Sequence, residues 1–195
     1  VIKSNLEDYL ETAPDVEYTK DNIDSMEETK EVQEEHREEK VTKTITVSSP
    51  ITGIAADLAT APDEAFAGRM MGDGAVVTPQ DALITAPEDG EVVFVFDTKH
   101  AIGFLTDSGL SMLLHIGIDT VKLEGKGFEV LVENGQKVKK GDPMMRLDLS
   151  YLSENAPSLA SPVLCTELED NQKIRLLKEG EIKAGEPLFA VDFYE

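Results

Sequence analysis

The chain reads as all-β, an antiparallel β-sandwich or barrel with short helical turns. Three observations predict this. Short runs rich in Val, Ile, Leu and Phe recur from Ser48 onward, separated by Gly, Pro and Asp, which is the spacing of strands joined by turns. Within these runs apolar and polar residues alternate, and alternation favours antiparallel pairing over the solid apolar runs of a parallel sheet. A pseudo-repeat is also present. "VKKGDPMMRLD" (Val138 to Asp148) matches "IKAGEPLFAVD" (Ile182 to Asp192), each a polar turn with Gly-acid-Pro followed by a strand. Such repetition suggests a sandwich assembled from similar β units, although convergent turn chemistry can produce the same pattern.

In chain order, the first stretch differs from the rest. "DSMEETKEVQEEHREEKVTKT" is polar, and its glutamates could line a solvated helix but have no apolar stripe beside them. Residues 13–47 therefore read as an acidic flexible linker, with His36 as a solvated linker residue. The ordered domain is expected over 48–195. Strands are expected at "GAVVTP", "GEVVFVF", "AIGFL", "LSMLLHIGI", "FEVLVENG", "PMMRLDL" and "PLFAVDF", and "APEDGEVVFVF" supplies a third strand led by Pro and Gly. Two segments look helical, "LDLSYLSENA" and, more strongly, "LEDNQKIRLL".

Composition narrows the function. The 195 residues suit one domain plus a tail, or two small domains, and the apolar fraction of 41% is enough for a core. The formal net charge of −21 argues against nucleic acid and anionic membrane surfaces as partners and favours basic proteins. Cys165 is the single cysteine, so neither an intrachain disulfide nor a cysteine zinc site can form, which fits a reducing, cytoplasmic setting. The longest apolar runs, such as Val92 to Phe96, are far shorter than a membrane span.

Two of the three histidines carry the most information. In "SMLLHIGID" a period of two puts Met112, Leu114, Ile116 and Ile118 on one apolar face. Ser111, Leu113, His115, Gly117 and Asp119 fall on the other, so His115 avoids the obvious core and Gly117 leaves room above its ring. "HAIGFLTDSGLSMLLH" reads as strand, turn, strand, with Gly109 suited to a left-handed position. A two-residue loop pairs His100 with His115. A three-residue loop shifts the pairing by one and better matches Ile102 and Phe104 to Leu114 and Met112. A slip of one residue changes faces. Adjacent imidazoles and a matched core together therefore require a backbone irregularity near Ala101.

Neighbouring imidazoles permit several chemistries. Two histidines are half of a zinc site, and even with Asp119 as a third ligand the usual spacings are absent. No GxSxG, Walker-type loop or GxGxxG occurs, so no cofactor and no resident metal is expected. Phosphoryl transfer fits better. A neutral imidazole, with a reference pKa of about 6.5, is a nucleophile at pH 7 that needs no base. A second imidazole can stabilise the developing charge by donating a hydrogen bond, and a hydroxyl such as that of Thr98 can orient the second ring.

"TKHAIGFLTDSGLSMLLHIGIDTVKLEGKGFEVLVENGQKVKKGD" closely resembles the glucose-type enzyme IIA domain of the bacterial phosphoenolpyruvate-dependent sugar phosphotransferase system. The match continues through "SPITG", "FAGRMMGDGAVVTP", "SPVLCTELED" and "GEPLFAVD" and covers nearly all of 48–195. The resemblance implies a β-sandwich of the duplicated hybrid motif type and a phosphotransferase component. His115 then accepts a phosphoryl group from the phosphocarrier protein HPr and passes it to a cysteine of enzyme IIB, for sugar uptake and phosphorylation. It also implies that His100 is the second imidazole with Thr98 as its hydroxyl partner, and that Asp63 and Asp119 meet basic groups on partners. Phe66, Met70, Met71, Phe96 and Leu113 match the apolar ring that docks them. "SNLEDYL" in residues 1–12 loosely resembles the end of an enzyme IIB domain, which suggests the C-terminal piece of a fused permease at the cytoplasmic face of the membrane, linked indirectly to a transport domain. A regulatory binding module, whose phosphorylation controls a transporter or metabolic enzyme, is the alternative. A lipoyl- or biotinyl-type carrier is disfavoured, because no lysine stands in an attachment context at a hairpin tip.

Overall fold

A computed structural model describes residues 39–195. The IIB-like end expected at 1–12, most of the expected linker and His36 lie outside the described residues. Fourteen strands are described: β1 (Val41–Ser48), β2 (Gly53–Asp57), β3 (Asp73–Pro79), β4 (Leu83–Thr85), β5 (Gly90–Val95), β6 (Ala101–Thr106), β7 (Ser111–His115), β8 (Phe128–Val130), β9 (Lys137–Val138), β10 (Pro143–Leu147), β11 (Ser161–Cys165), β12 (Gln172–Leu176), β13 (Gly180–Ile182) and β14 (Pro187–Tyr194). They form an eight-stranded sheet in the order β13-β2-β3-β11-β7-β6-β5-β9 and two three-stranded sheets, β1-β14-β12 and β4-β10-β8. Every strand pairing is antiparallel. Among the described residues no sheet closes on itself, so of the two architectures expected the domain is the sandwich and not the barrel.

One core unites the three sheets. Val77, Phe104, Leu114 and Val163 enter it from the large sheet, Ile84 and Met145 from one small sheet, and Val47 and Phe189 from the other. A second, smaller cluster holds Leu58, Ala61, Phe66, Ile118 and Leu164. It is built on the short segment between β2 and β3, which contains a 3₁₀ turn (Leu58–Thr60) and the one-turn helix α1 (Glu64–Ala67).

The pseudo-repeat is a duplication in three dimensions. In each copy the acidic residue of Gly-acid-Pro closes a turn by accepting from a lysine N–H: Asp142 from Lys139 at 2.9 Å, Glu186 from Lys183 at 3.1 Å. Each turn then bonds to an upstream segment in the same way. Gly141 N–H donates to Ala86 O and Ala86 N–H to Asp142 O; Gly185 N–H donates to Ser49 O and Ser49 N–H to Glu186 O. "APEDG" is therefore the counterpart of "SSPITG" rather than a third copy of the turn. Each segment ends at a glycine on the large sheet, Gly53 opposite Ile182 and Gly90 opposite Val138. Both glycines are required by crowding, because a Cβ would stand 1.9 Å from Thr78 O at Gly53 and 2.3 Å from Leu105 O at Gly90.

Three expectations need correction. "LEDNQKIRLL" is not helical: Gln172–Leu176 is β12, paired residue for residue with β14. Ile174 and Leu176 pack on the core while Lys173 and Arg175 are exposed, so the period is two and tertiary pairing overrides helix propensity. "LDLSYLSENA" is helical as expected, as α2 (Leu149–Asn155), capped by Asp148, which accepts from Tyr151 N–H. The domain also begins before residue 48. Residues 41–47 belong to β1, where Ile45 and Val47 alternate into the core, and sparse hydrophobicity disguised this strand as linker. Finally, Ile118 leaves the face of Met112, Leu114 and Ile116 and joins the second cluster, because β7 stops at His115 and the backbone turns at Gly117.

A chain starting at residue 48 should be less stable to urea than one starting at residue 40. Losing β1 forfeits its ladder and the burial of Val47, which is alone worth about 1.5–3 kcal/mol. Equal midpoints would place the boundary back at 48.

Candidate functional site

The β6–β7 hairpin builds the site. Its loop has three residues, Asp107, Ser108 and Gly109, closed by Thr106 N–H donating to Leu110 O and by Leu110 N–H donating to Thr106 Oγ1. Ile102 therefore faces Leu114 and Phe104 faces Met112, and Ala101, not His100, faces His115. The irregularity expected near Ala101 lies just before it, where Lys99 adopts a left-handed conformation (φ 59°) and donates its N–H to Phe96 O. That kink swings His100 out of strand alternation. The two imidazoles meet edge to face, with centroids 4.9 Å apart and planes at 81°.

Each ring is held by its Nδ1. His115 Nδ1 lies 2.8 Å from Gly117 O, a pure acceptor, so it carries the proton and Nε2 presents its lone pair. Gly117 does more than clear space. Its φ of 71° turns the carbonyl onto the imidazole, and a Cβ there would meet Thr120 Cγ2 at 2.7 Å. Its own N–H donates to the buried hydroxyl of Ser161 at 3.0 Å, and Ser161 donates onward to Leu159 O. Thr120 Oγ1 donates to Ile116 O. His100 Nδ1 lies 2.7 Å from Thr98 Oγ1. With the hydroxyl donating, His100 keeps its proton on Nε2.

Burial sets the electrostatics. His100 is 4% exposed, and desolvation, aided by the neighbouring His115, lowers its pKa to about 4. Desolvation lowers that of His115 as well, against the Gly117 carbonyl and the carboxylates of Asp63 and Asp119, which favour the cation. Both rings are thus kept neutral at pH 7. Among the described residues, no group of three or more His, Cys, Asp or Glu side chains is arranged to hold a metal ion. Cys165 is buried, its thiol pushed up to about 12 by desolvation, which leaves it protonated and inert.

The expected surroundings divide into walls and surface. Phe66 is buried, its ring 4.8 Å from that of His115, and Leu113 packs on the same small cluster, so both wall the site. Phe96 is half-buried, its ring 5.4 Å from His100. Met70 and Met71 are exposed, at 79% and 48%. Asp63 caps α1, its Oδ1 accepting from Ala65 and Phe66 N–H. It therefore positions Phe66 as well as biasing His115. Asp119 is left-handed (φ 55°), with Lys122 Nζ 3.9 Å from its carboxylate. Sequence reading missed the carbonyl role of Gly117, and with it Ser161 and Thr120. The available signal was a serine opening the otherwise apolar "SPVLC". It also missed Phe94, 44% exposed, whose ring lies 4.8 Å from that of Phe96.

Residues 45–171 match the family model described as phosphoenolpyruvate-dependent sugar phosphotransferase system, EIIA 1. The chain belongs to this EIIA family. It is 46% identical over 144 residues to the N-acetylglucosamine-specific EIICBA component of Klebsiella pneumoniae, covering 73% of the chain but only 22% of that protein. It is 42% identical over 146 residues to the glucose-specific EIIA component of Staphylococcus epidermidis, covering 75% of the chain and 88% of that protein. Among solved structures, glucose permease IIA from Mycoplasma capricolum superposes with a TM-score of 0.71 at 38% identity, over 76% of this chain and 96% of that one. The protein is thus a phosphoryl-carrier component of a sugar phosphotransferase system. In the EIICBA relatives the EIIA part is joined to EIIB and EIIC parts. No helix among the described residues is long and apolar enough to cross a membrane.

Nitrogen-15 NMR at pH 7 should show His115 protonated on Nδ1 and His100 on Nε2, both neutral. The opposite tautomer at His115 would contradict the Gly117 contact. Depressed histidine values also set a pH dependence. Between pH 6.5 and about 4 the unfolded chain holds a proton that folded His100 refuses, so stability falls as pH drops through that window. The loss should be about 2–3 kcal/mol, at about 1.4 kcal/mol per pKa unit, and urea melts of His100→Gln should lack most of that slope.

Proposed function

We propose that His115 Nε2 is the phosphoryl acceptor, taking the group from phospho-HPr and giving it to a cysteine of enzyme IIB for sugar uptake and phosphorylation. The observation that supports this reading is the paired Nδ1 anchoring: His115 donates to Gly117 O while His100 Nδ1 is tied to Thr98. The first anchor aims a neutral Nε2 outward, and the second aims a donor at whatever bonds to it. In the transfer the P–N bond of the donor phosphohistidine breaks as a P–N bond to His115 Nε2 forms. The proton on His115 Nδ1 stays in place, and the Gly117 carbonyl stabilises the positive character the ring acquires. His100 Nε2–H then hydrogen-bonds a phosphoryl oxygen as charge moves. Passing the group on breaks the same P–N bond and forms a P–S bond to the acceptor cysteine.

Asp63 and Asp119 present carboxylates beside His115, and the exposed Met70 and Met71 follow the helix that Asp63 caps, a set suited to a partner that offers both apolar and basic groups. In this reading residues 1–12 end an enzyme IIB domain, 13–40 serve as an acidic linker, and the domain works at the cytoplasmic face of the membrane beside a transport domain.

Incubation with phosphoenolpyruvate, enzyme I and HPr should introduce one acid-labile phosphate. His115→Ala should take up none, and uptake by that variant would disprove the assignment. His100→Gln should still accept phosphate but pass it on about 10²–10³-fold more slowly, the usual effect of deleting one charge-stabilising donor. Thr98→Val should show a smaller loss in the same step.

A further inference from the structure

Ser161 places a hydroxyl where packing alone requires none. It opens β11, a strand paired on both sides, with β3 and with β7. A period of two puts it on the same face as Val163 and Cys165, which both belong to the main core. Ser161 is itself fully buried. A buried hydroxyl costs stability unless its hydrogen-bonding capacity is used. Here both roles are filled, since it accepts from Gly117 N–H at 3.0 Å and donates to Leu159 O at 2.8 Å.

The first of these bonds reaches the phosphoryl site. The β7–β11 ladder runs no further than Leu114 opposite Val163. Beyond it the chain turns away, and a side chain in place of a backbone carbonyl takes the Gly117 N–H. The two peptides around Gly117 are held at every polar group. Thr120 Oγ1 donates to Ile116 O, Gly117 N–H to Ser161 Oγ, His115 Nδ1–H to Gly117 O, and Ile118 N–H to Ser158 O. Thr120 belongs to the same turn and cannot fix it against the sheet, and Ser158 contributes only its backbone. Among the described residues Ser161 is therefore the side chain that ties this turn to a distant strand, 44 residues away in the chain. Gly117 has a φ of 71°, and a glycine does not hold one angle by its own sterics. The anchor on its N–H sets where its carbonyl points.

We propose that Ser161 is a positioning residue for phosphoryl transfer: its hydroxyl fixes the Gly117 turn, which keeps the Gly117 carbonyl on His115 Nδ1 and the lone pair on Nε2. This deepens the function proposed above and rests on it. Ser161 acts through two hydrogen bonds in series, its own to Gly117 N–H and that of Gly117 O to His115. Released from Ser161, Gly117 turns its carbonyl off the ring. The Nδ1 proton then loses its acceptor and resides on Nε2 in part of the population. That tautomer has no lone pair at the reacting nitrogen, so only the remaining fraction forms the P–N bond. Because Ser161 is buried, it touches no partner, and its effect falls on the chemical step and not on docking.

Ser161→Ala and Ser161→Thr in the full chain test this. Nitrogen-15 NMR should show His115 of the alanine variant divided between the two neutral tautomers. Desolvation already lowers the His115 pKa, and loss of the Gly117 carbonyl, which opposes that, should lower it further. For uptake from phospho-HPr, kcat should drop about tenfold or more while KM stays within about twofold of wild type. Ser161→Thr keeps the hydroxyl and should restore tautomer, pKa and kcat. Val163→Ala, on the same buried face, should lower the melting temperature and leave all three unchanged, as a Ser161 with only a structural role would. If Ser161→Ala does not fold, Ser161→Cys, close in size but a weak acceptor, carries the same expectations. A folded alanine or cysteine variant with wild-type tautomer or wild-type kcat overturns the proposal, as does a defect confined to KM. The tautomer and pKa are read without any phosphoryl donor, so they decide the positioning separately from the function. Absence of labelling of wild-type His115 by both phospho-HPr and phosphoramidate, a small P–N donor, removes the function itself.

Discussion

In the β6–β7 hairpin Ala101 stands opposite His115, and the site depends on that register. The three-residue loop that sets it puts Ile102, Phe104, Met112 and Leu114 into one core. It also leaves His100 one position beyond the ladder. Were the loop one residue shorter, the rings would face each other directly but the apolar residues would slip to the wrong faces. The protein keeps the core and recovers the pairing with a single left-handed residue, Lys99, ahead of the strand. A kink of this kind costs of order 1 kcal/mol, little beside the burial it preserves.

Around that hairpin the groups divide into those that aim a proton and those that shape a surface. Gly117 and Thr98 each occupy the Nδ1 of one ring, which in the proposed function leaves each Nε2 for the incoming group. Ser161 and Thr120 hold the Gly117 turn from opposite sides. Desolvation keeps both imidazoles uncharged, as the role proposed for His115 requires. The second small core under Phe66 and Leu113 anchors the segment that carries Asp63, so the acidic rim rests on packed structure.

Several of these features were legible along the chain. The all-β class, the duplicated turn and the position of the hairpin turn follow from local chemistry, since Gly-acid-Pro and Asp-Ser-Gly specify turns wherever they occur, but two- and three-residue loops both fitted the sequence and only the strand pairing decided for three. The same local reading failed at Gln172–Leu176, where helix-forming residues pair with β14. It failed again at residues 41–47, where a strand with few apolar residues borrows its stability from the neighbour it completes. Gly117 was noticed for its size, but the hydrogen bond of its carbonyl depends on a φ angle, which residue type permits without dictating.

By itself, then, the amino-acid sequence determined the strand periodicity, the turn positions, the identity of the two imidazoles and the family to which their surroundings belong. Each of these is a property of residues close together in the chain. Only the tertiary structure decided which nitrogen of each ring is free, that Phe66 is a wall and not a surface, and that Phe94 meets the site at all. Those facts arise from contacts between strands distant in sequence, whose spacing is set by backbone pairing and burial.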